Sequence, residues 1–356
     1  MTIRPRSSSS RTSPISPVMK PMNPAQGLVT IRDISANNDR QYRRFGAIAQ
    51  SGSSGLRQTR CQNRGRQLSS GQYISTRGEA PELSFEDAVL AGLARDGGLY
   101  VPKHWPTFSA DRIARFAGKP FHELAVDVIE PFTGGALTRA ELSTIAKQAY
   151  DSFGHPAVTP LVQIEPNRFV LELFHGPTLA FKDVAMQFLS GLIDLILAKR
   201  KQRATIVCAT SGDTGGAAVE AFRGADNVDI VVLFPDGRVS DVQRRMMTTP
   251  TESNVHALAI DGTFDDCQAL VKAMFNDHGF RDQVALSGVN SINWARVAPQ
   301  ITYYFAAAVA LGAPHRKVSF AVPTGNFGDI FAGYVAKRMG LPIERPVSYT
   351  HLTLPT

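Results

Sequence analysis

One lysine in this sequence sits where an amine could be held without its charge. Lys182 lies in "HGPTLAFKDVAMQF", residues 175–188, between an apolar segment and what reads as the first turn of a helix. There it meets the positive end of a helix dipole, and apolar neighbours disfavour its charge further, so its pKa is expected to fall. A neutral amine is a nucleophile that can condense with an aldehyde. The plainer reading is a surface lysine neutralised by the adjacent Asp183.

Two glycine-rich turns bear on the choice. "ATSGDTGGAAVEAF" (209–222) and "VPTGNFGDIFAG" (322–333) each run from strand through glycine turn into helix, which lets backbone N–H groups approach an anion at a helix N-terminus. Either turn alone is weak evidence, because such turns are often only tight connections. Neither is GxxxxGK[ST] or GxGxxG, so nucleotide hydrolysis and dinucleotide binding lose support. One potentially neutral amine and two turns fit for phosphate, all within one α/β unit, suit a cofactor with both an aldehyde and a phosphate. Pyridoxal 5'-phosphate is that cofactor.

The elements that must position these groups alternate. Apolar β-branched runs at 204–210, 228–234, 255–260, 284–289 and 317–323 read as strands. Each is followed by an amphipathic run, among them "SDVQRRMM", "FDDCQALVKAMF" and "WARVAPQITYYFAAAVAL". This predicts an α/β fold of mostly parallel sheets flanked by helices, with ligands beyond the carboxyl ends of the strands. A smaller, α-rich N-terminal region begins at Tyr73. In it Ser84 and Asp87 have the spacing of a helix cap, and Gly97-Gly98 are expected to end that helix.

Composition narrows the function classes. The 356 residues are 43% hydrophobic and 19% charged, the balance of a soluble globular protein. The net charge of +7 is misleading: residues 1–72 hold 12 Lys/Arg against 2 Asp, leaving 26 basic against 29 acidic residues for the rest. No basic face for nucleic acid is implied in the folded part. The longest apolar stretch is too short to span a bilayer and contains Asp194. Cys61, Cys208 and Cys267 form no CxxC pair, which suits a reducing compartment, and the histidines show no metal-ligand spacing.

Six ordered blocks carry a family resemblance: "YISTRGEAP" (73–81), "DGGLYVP" (96–102), "LELFHGPTLAFKDVAMQF" (171–188), "TSGDTGGAA" (210–218), "SGVNSINWARVAPQ" (287–300) and "PTGNFGDIFAGYVAKRMGLPI" (323–343). Together, over about residues 73–345, they resemble the threonine synthases of bacteria and fungi. The resemblance implies pyridoxal-phosphate fold type II, the fold of the tryptophan synthase β chain. It implies that Lys182 holds the cofactor and shuttles the proton, and that Gly325, Asn326, Phe327, Gly328 and Asp329 cradle the cofactor phosphate. Ser211, Gly212, Asp213, Thr214 and Gly215 would lie over the pyridine ring and take the substrate carboxylate. Asn290, Ser291, Asn293 and Arg296 would bind the substrate phosphate. The plainer alternatives are that Asn290 and Asn293 cap turns and that Arg296 pairs with a surface acid.

The implied reaction converts O-phospho-L-homoserine and water to L-threonine and phosphate, by γ-elimination and β-addition, in a cytoplasmic enzyme. Alternatives are a threonine or serine dehydratase of the same fold, or a catalytically dead fragment. The pattern breaks at both ends. Residues 1–72 read as a disordered basic leader, either an organelle transit peptide or upstream sequence joined by a wrong start; the lack of an amphipathic helical pattern favours the second. Residues 346–356, "PVSYTHLTLPT", fit no block. The sequence is therefore read as a leader, a region 73–160, a cofactor-binding region 161–345 truncated at its C-terminus, and an unassigned tail.

Overall fold

The computed structural model describes residues 28–32, 72–291, 293–323 and 326–349. The alternation seen in the sequence folds as four parallel strands in the order β10-β7-β8-β9: β7 (Ala204–Ala209), β8 (Val228–Pro235), β9 (Val255–Ile260) and β10 (Leu286–Gly288). The helices between them are α6 (Asp213–Phe222), α7 (Asp241–Thr248), α8 (Phe264–Asn276) and α9 (His278–Gln283). β7 and β8 are almost continuously buried, as a strand covered on both faces requires.

The fifth expected strand departs from this. β11 (Val318–Pro323) belongs to a separate five-stranded mixed sheet, ordered β12-β11-β1-β6-β5, with β1 (Leu28–Arg32), β5 (Leu161–Glu165), β6 (Arg168–Glu172) and β12 (Ile343–Tyr349). Periodicity identifies a strand but does not say which sheet it joins. Two further expectations change with it. Five residues of the stretch read as a disordered leader form β1 between β11 and β6, and the tail read as unassigned begins inside β12. The rest of the leader up to residue 71, with Cys61, and residues 350–356 lie outside the described residues.

The N-terminal region carries a three-stranded sheet as well as helices: β2 (Gln72–Ser75), β3 (Leu83–Ser84) and β4 (Tyr100–Pro102). Ser84 caps α1 (Phe85–Ala91) by accepting the Asp87 N–H. That helix ends at Gly92 rather than at Gly97-Gly98; Gly98 lies in a turn held by Asp96, which accepts from the backbone of Gly98, Glu79 and Ala80. α2 (Ala110–Ala114), α3 (Phe121–Ile129) and α4 (Arg139–Asp151) complete the region.

Two long helices join the halves. α5 (Asp183–Arg200) stops at Lys201, which takes the left-handed conformation after two basic residues in the last turn. Asp194, within its apolar run, accepts from the backbone and side chain of Asn227 at 3.2 and 3.0 Å and so fixes the turn before β8. α10 (Trp294–Ala310) is buried nearly all round, with Tyr303, Tyr304 and Phe305 fully enclosed. α11 (Gly328–Arg338) packs beside it, the Tyr304 ring lying against Gly333. Among the described residues, no helix is long and apolar enough to cross a membrane, and no cluster of His, Cys, Asp and Glu could hold a metal ion.

Candidate functional site

Lys182 is the N-cap residue of α5, and its side chain is 17% exposed. Asp183 does not neutralise it. The Asp183 carboxylate is fully buried and accepts the Thr178 N–H at 2.8 Å and the Thr178 hydroxyl at 2.6 Å. Thr178 thus takes up the Asp183 carboxylate. The Lys182 amine donates to Asp213 Oδ2 at 3.3 Å and lies 4.6 Å from the Phe181 ring centroid. Burial pushes the amine below the ordinary lysine value; Asp213 opposes that shift, nearby Arg296 adds to it, and Asp183 opposes it more weakly.

Asp213 opens α6 in the turn after β7. Gly212 has φ +139°, a conformation that suits glycine, and the helix starts without a side-chain cap. Thr210, buried at the end of β7, organises the turn: its hydroxyl oxygen accepts the N–H groups of Gly212 and Gly215, both at 2.9 Å. Ser211 is exposed, and Asp213 and Thr214 are half-buried.

The "NSINWAR" block approaches from β10. Asn290 donates to the Ala209 carbonyl at 3.1 Å, tying the block to the end of β7. Ser291 lies where a Cβ on Gly328 would meet it at 3.1 Å, so it adjoins the second glycine turn. Arg296 is 2% exposed; its Nη1 donates to the Val289 carbonyl at 2.9 Å, and its Nε has no partner among the described residues. Burial pulls its guanidinium down to about 10, against the opposing influence of Cys208 and Tyr303. A buried cation with an unpaired donor lacks an anion.

Asn293 is a correction to the expected site. It is fully buried, donating to the carbonyls of Val89 at 2.9 Å and Gly288 at 3.1 Å, while its oxygen accepts the Ala295 N–H. Its polar atoms are committed to capping α10, as the plainer reading had it. In the second turn, Gly325 lies outside the described residues. Asn326 and Phe327 are exposed, and Phe327 is left-handed at φ 59° with no side-chain cap bond at the start of α11. The Asp329 carboxylate accepts the hydroxyls of Tyr303 and Tyr304, the second at 2.9 Å, and burial raises it to about 6. It therefore ties the start of α11 to α10.

The residues fit a phosphate-bearing aldehyde. They offer a half-buried amine, a helix start with no side-chain cap beside Ser291, and a buried guanidinium donor without a partner among the described residues. Thr210, Tyr303 and Tyr304 were not singled out from the sequence. Only Thr210 left a local signal, as a hydroxyl residue opening a glycine turn.

A family model described as "Threonine synthase N terminus" matches residues 72–150, and one described as "Pyridoxal-phosphate dependent enzyme" matches residues 153–347. The chain is 58% identical over 280 residues to a threonine synthase of Pseudomonas aeruginosa, covering 79% of this chain and 60% of the relative. It is 46% identical over 290 residues to that of Schizosaccharomyces pombe, covering 78% and 56%. A solved structure described as PLP-bound threonine synthase from Brucella melitensis superposes with a TM-score of 0.75 at 65% identity, covering 79% of this chain and 61% of that one. The yeast threonine synthase structure gives 0.72 at 42% identity, covering 79% and 58%. The chain thus spans about three fifths of the length of these relatives.

Proposed function

The chain belongs to the pyridoxal-phosphate-dependent enzymes, in their threonine synthase branch, and on that premise we propose that it acts as a threonine synthase, converting O-phospho-L-homoserine and water to L-threonine and phosphate. The observation that carries the reading is the placement of Lys182: a side chain 17% exposed at a helix start, its amine paired with Asp213 of one glycine turn and pushed below the ordinary lysine value by burial, with Arg296 adding to the shift. When bound, pyridoxal phosphate supplies an aldehyde for an amine to condense with and an electron sink for the carbon next to it.

The residues divide the remaining work. Lys182 Nζ would anchor the cofactor, and the same amine would take the substrate α-proton and return it later; a lowered pKa suits both duties. Asp213 holds that amine in direction. The N–H groups at the start of α11, in the turn Asn326 to Asp329, would receive the cofactor phosphate, with Gly325 assigned there by resemblance alone. Ser211 and its turn, Gly212 to Gly215, receive the substrate carboxylate. Arg296, with Asn290 and Ser291 close by, offers the buried cation for the phosphate that leaves. Asn293 contributes only by fixing the start of α10.

The test is direct. The chain is incubated with pyridoxal phosphate and O-phospho-L-homoserine, and phosphate and threonine are both measured, with borohydride trapping to identify the labelled lysine. Equimolar phosphate and threonine, with the label on Lys182 and none of it in Lys182→Ala, supports the reading. Labelled Lys182 without phosphate release, or ammonia released from threonine, overturns it in favour of a dead fragment or a dehydratase.

A further inference from the structure

We propose that Gln243, on α7, is a positioning residue that acts through Asp213 to fix the direction and charge of the Lys182 amine. This rests on the reading that Lys182 is the reacting amine. Gln243 Nε2 donates to Asp213 Oδ1 at 2.6 Å while Lys182 donates to Asp213 Oδ2 at 3.3 Å. One carboxylate is thus held between two donors from two different helices, which leaves it a single rotamer.

The orientation of the Gln243 amide is itself determined. Its oxygen accepts the Ser240 N–H at 3.2 Å and the Ser240 hydroxyl at 2.9 Å, forming a capping box at the start of α7. Turning the amide over would set its oxygen against the Asp213 oxygen and its NH2 against the Ser240 N–H, so the nitrogen must face Asp213. Gly212 makes room for this: a Cβ there would lie 2.3 to 2.6 Å from the Gln243 amide atoms. The first glycine of the "GDTGG" turn thus serves the passage of a side chain as well as the approach of an anion.

The consequence falls on the amine. The charged groups around Lys182 are Asp213, Arg296, Asp183 and Asp329. Asp183 is taken up by Thr178, and Asp329 by Tyr303 and Tyr304. Asp213 is the only one of the three acids hydrogen-bonded to the amine, and Gln243 keeps it there. Without Gln243 the Asp213 carboxylate is free to turn toward water, leaving Arg296 to act on Lys182 with less opposition.

The test reads the amine itself. In the cofactor-free full chain, the rate at which acetic anhydride labels Lys182 is followed by peptide mass spectrometry as pH is varied. Gln243→Met keeps the length and removes the donor; it is expected to lower the labelling midpoint by about half a unit to one unit, roughly a three- to tenfold rise in neutral amine. Gln243→Glu adds a second carboxylate beside Asp213 and is expected to move the midpoint the other way. Ser240→Ala removes the cap without removing the donor and is expected to leave the midpoint in place. In Asp213→Asn, adding Gln243→Met should change nothing further. An unmoved midpoint in Gln243→Met, shifts of the same sign in both Gln243 variants, or additivity with Asp213→Asn would overturn the proposal. If pyridoxal never labels Lys182 in the parent chain, the proposed function fails instead, while the midpoint shifts still decide this inference.

Discussion

Asp183→Asn is expected to stabilise the protein at pH about 8 and to have little effect near pH 4. Asp183 is fully buried, and burial raises its carboxyl from an ordinary 3.8 to about 6, although two hydrogen bonds from Thr178 pull the other way. The folded state therefore binds this proton more tightly than the unfolded chain does. The associated stability is fully present below the unfolded value and is lost as pH rises through about 6. A lift of about two units corresponds to roughly 3 kcal/mol at pH well above 6. An amide has no charge to bury: its oxygen can keep the Thr178 N–H, while the Thr178 hydroxyl turns to accept from its nitrogen. Urea unfolding over a series of pH values measures the difference. Asp183→Ala is the contrast: leaving the Thr178 donors unpaired should cost about 2–4 kcal/mol near pH 4, a cost largely offset above pH 6, where the variant also removes the buried charge. The reasoning is refuted if Asp183→Asn destabilises the protein equally at both ends of the pH range.

Three further substitutions separate structure from chemistry. Arg296→Met should raise the stability of the cofactor-free protein by about 1–3 kcal/mol in urea, because it removes a buried, incompletely paired charge, while abolishing phosphate release. Asn293→Ala should cost about 2–4 kcal/mol through the orphaned carbonyls of Val89 and Gly288, yet leave KM for the phosphorylated substrate unchanged in the folded fraction. Gly212→Ala should cost about 2–4 kcal/mol, since its Cβ would press on Gln243 at a φ of +139°, and should weaken pyridoxal labelling of Lys182; unfolding and borohydride trapping measure the two effects.

Much of this was legible because it is local. The apolar runs at 204–210 and 228–234 mark their strands within a residue, and Lys182 and the two glycine turns are contiguous motifs. What the sequence could not carry was partnership at a distance. Whether Lys182 pairs with Asp183 or Asp213 is settled by the turn in which Thr178 captures Asp183, a tertiary matter. Asn293 was expected to bind phosphate because its block resembles a family motif, and an asparagine that caps a helix reads the same in sequence; its burial against Val89 and its bond to the Ala295 N–H show the cap. Gln243 gave no signal at all, since an amide in an exposed amphipathic helix is ordinary until Gly212 is seen beneath it.

The seam between the two family matches, near residues 150–153, is not where the molecule would come apart. Arg200 of α5 grips Glu86 and Asp87 of α1, Arg281 of α9 holds the carbonyls of Ala91 and Leu93, and the Gly92 Cα hydrogens face the Gly288 backbone so closely that a methyl there would sit 3.0 Å from it. One of these grips, Gly92 against Gly288, falls inside the block that delivers Arg296, and Arg281 lies shortly before it. Loosening the N-terminal segment would therefore shift the anion-seeking guanidinium as well, and a chain begun at residue 153 would lose catalytic geometry and cohesion in one step.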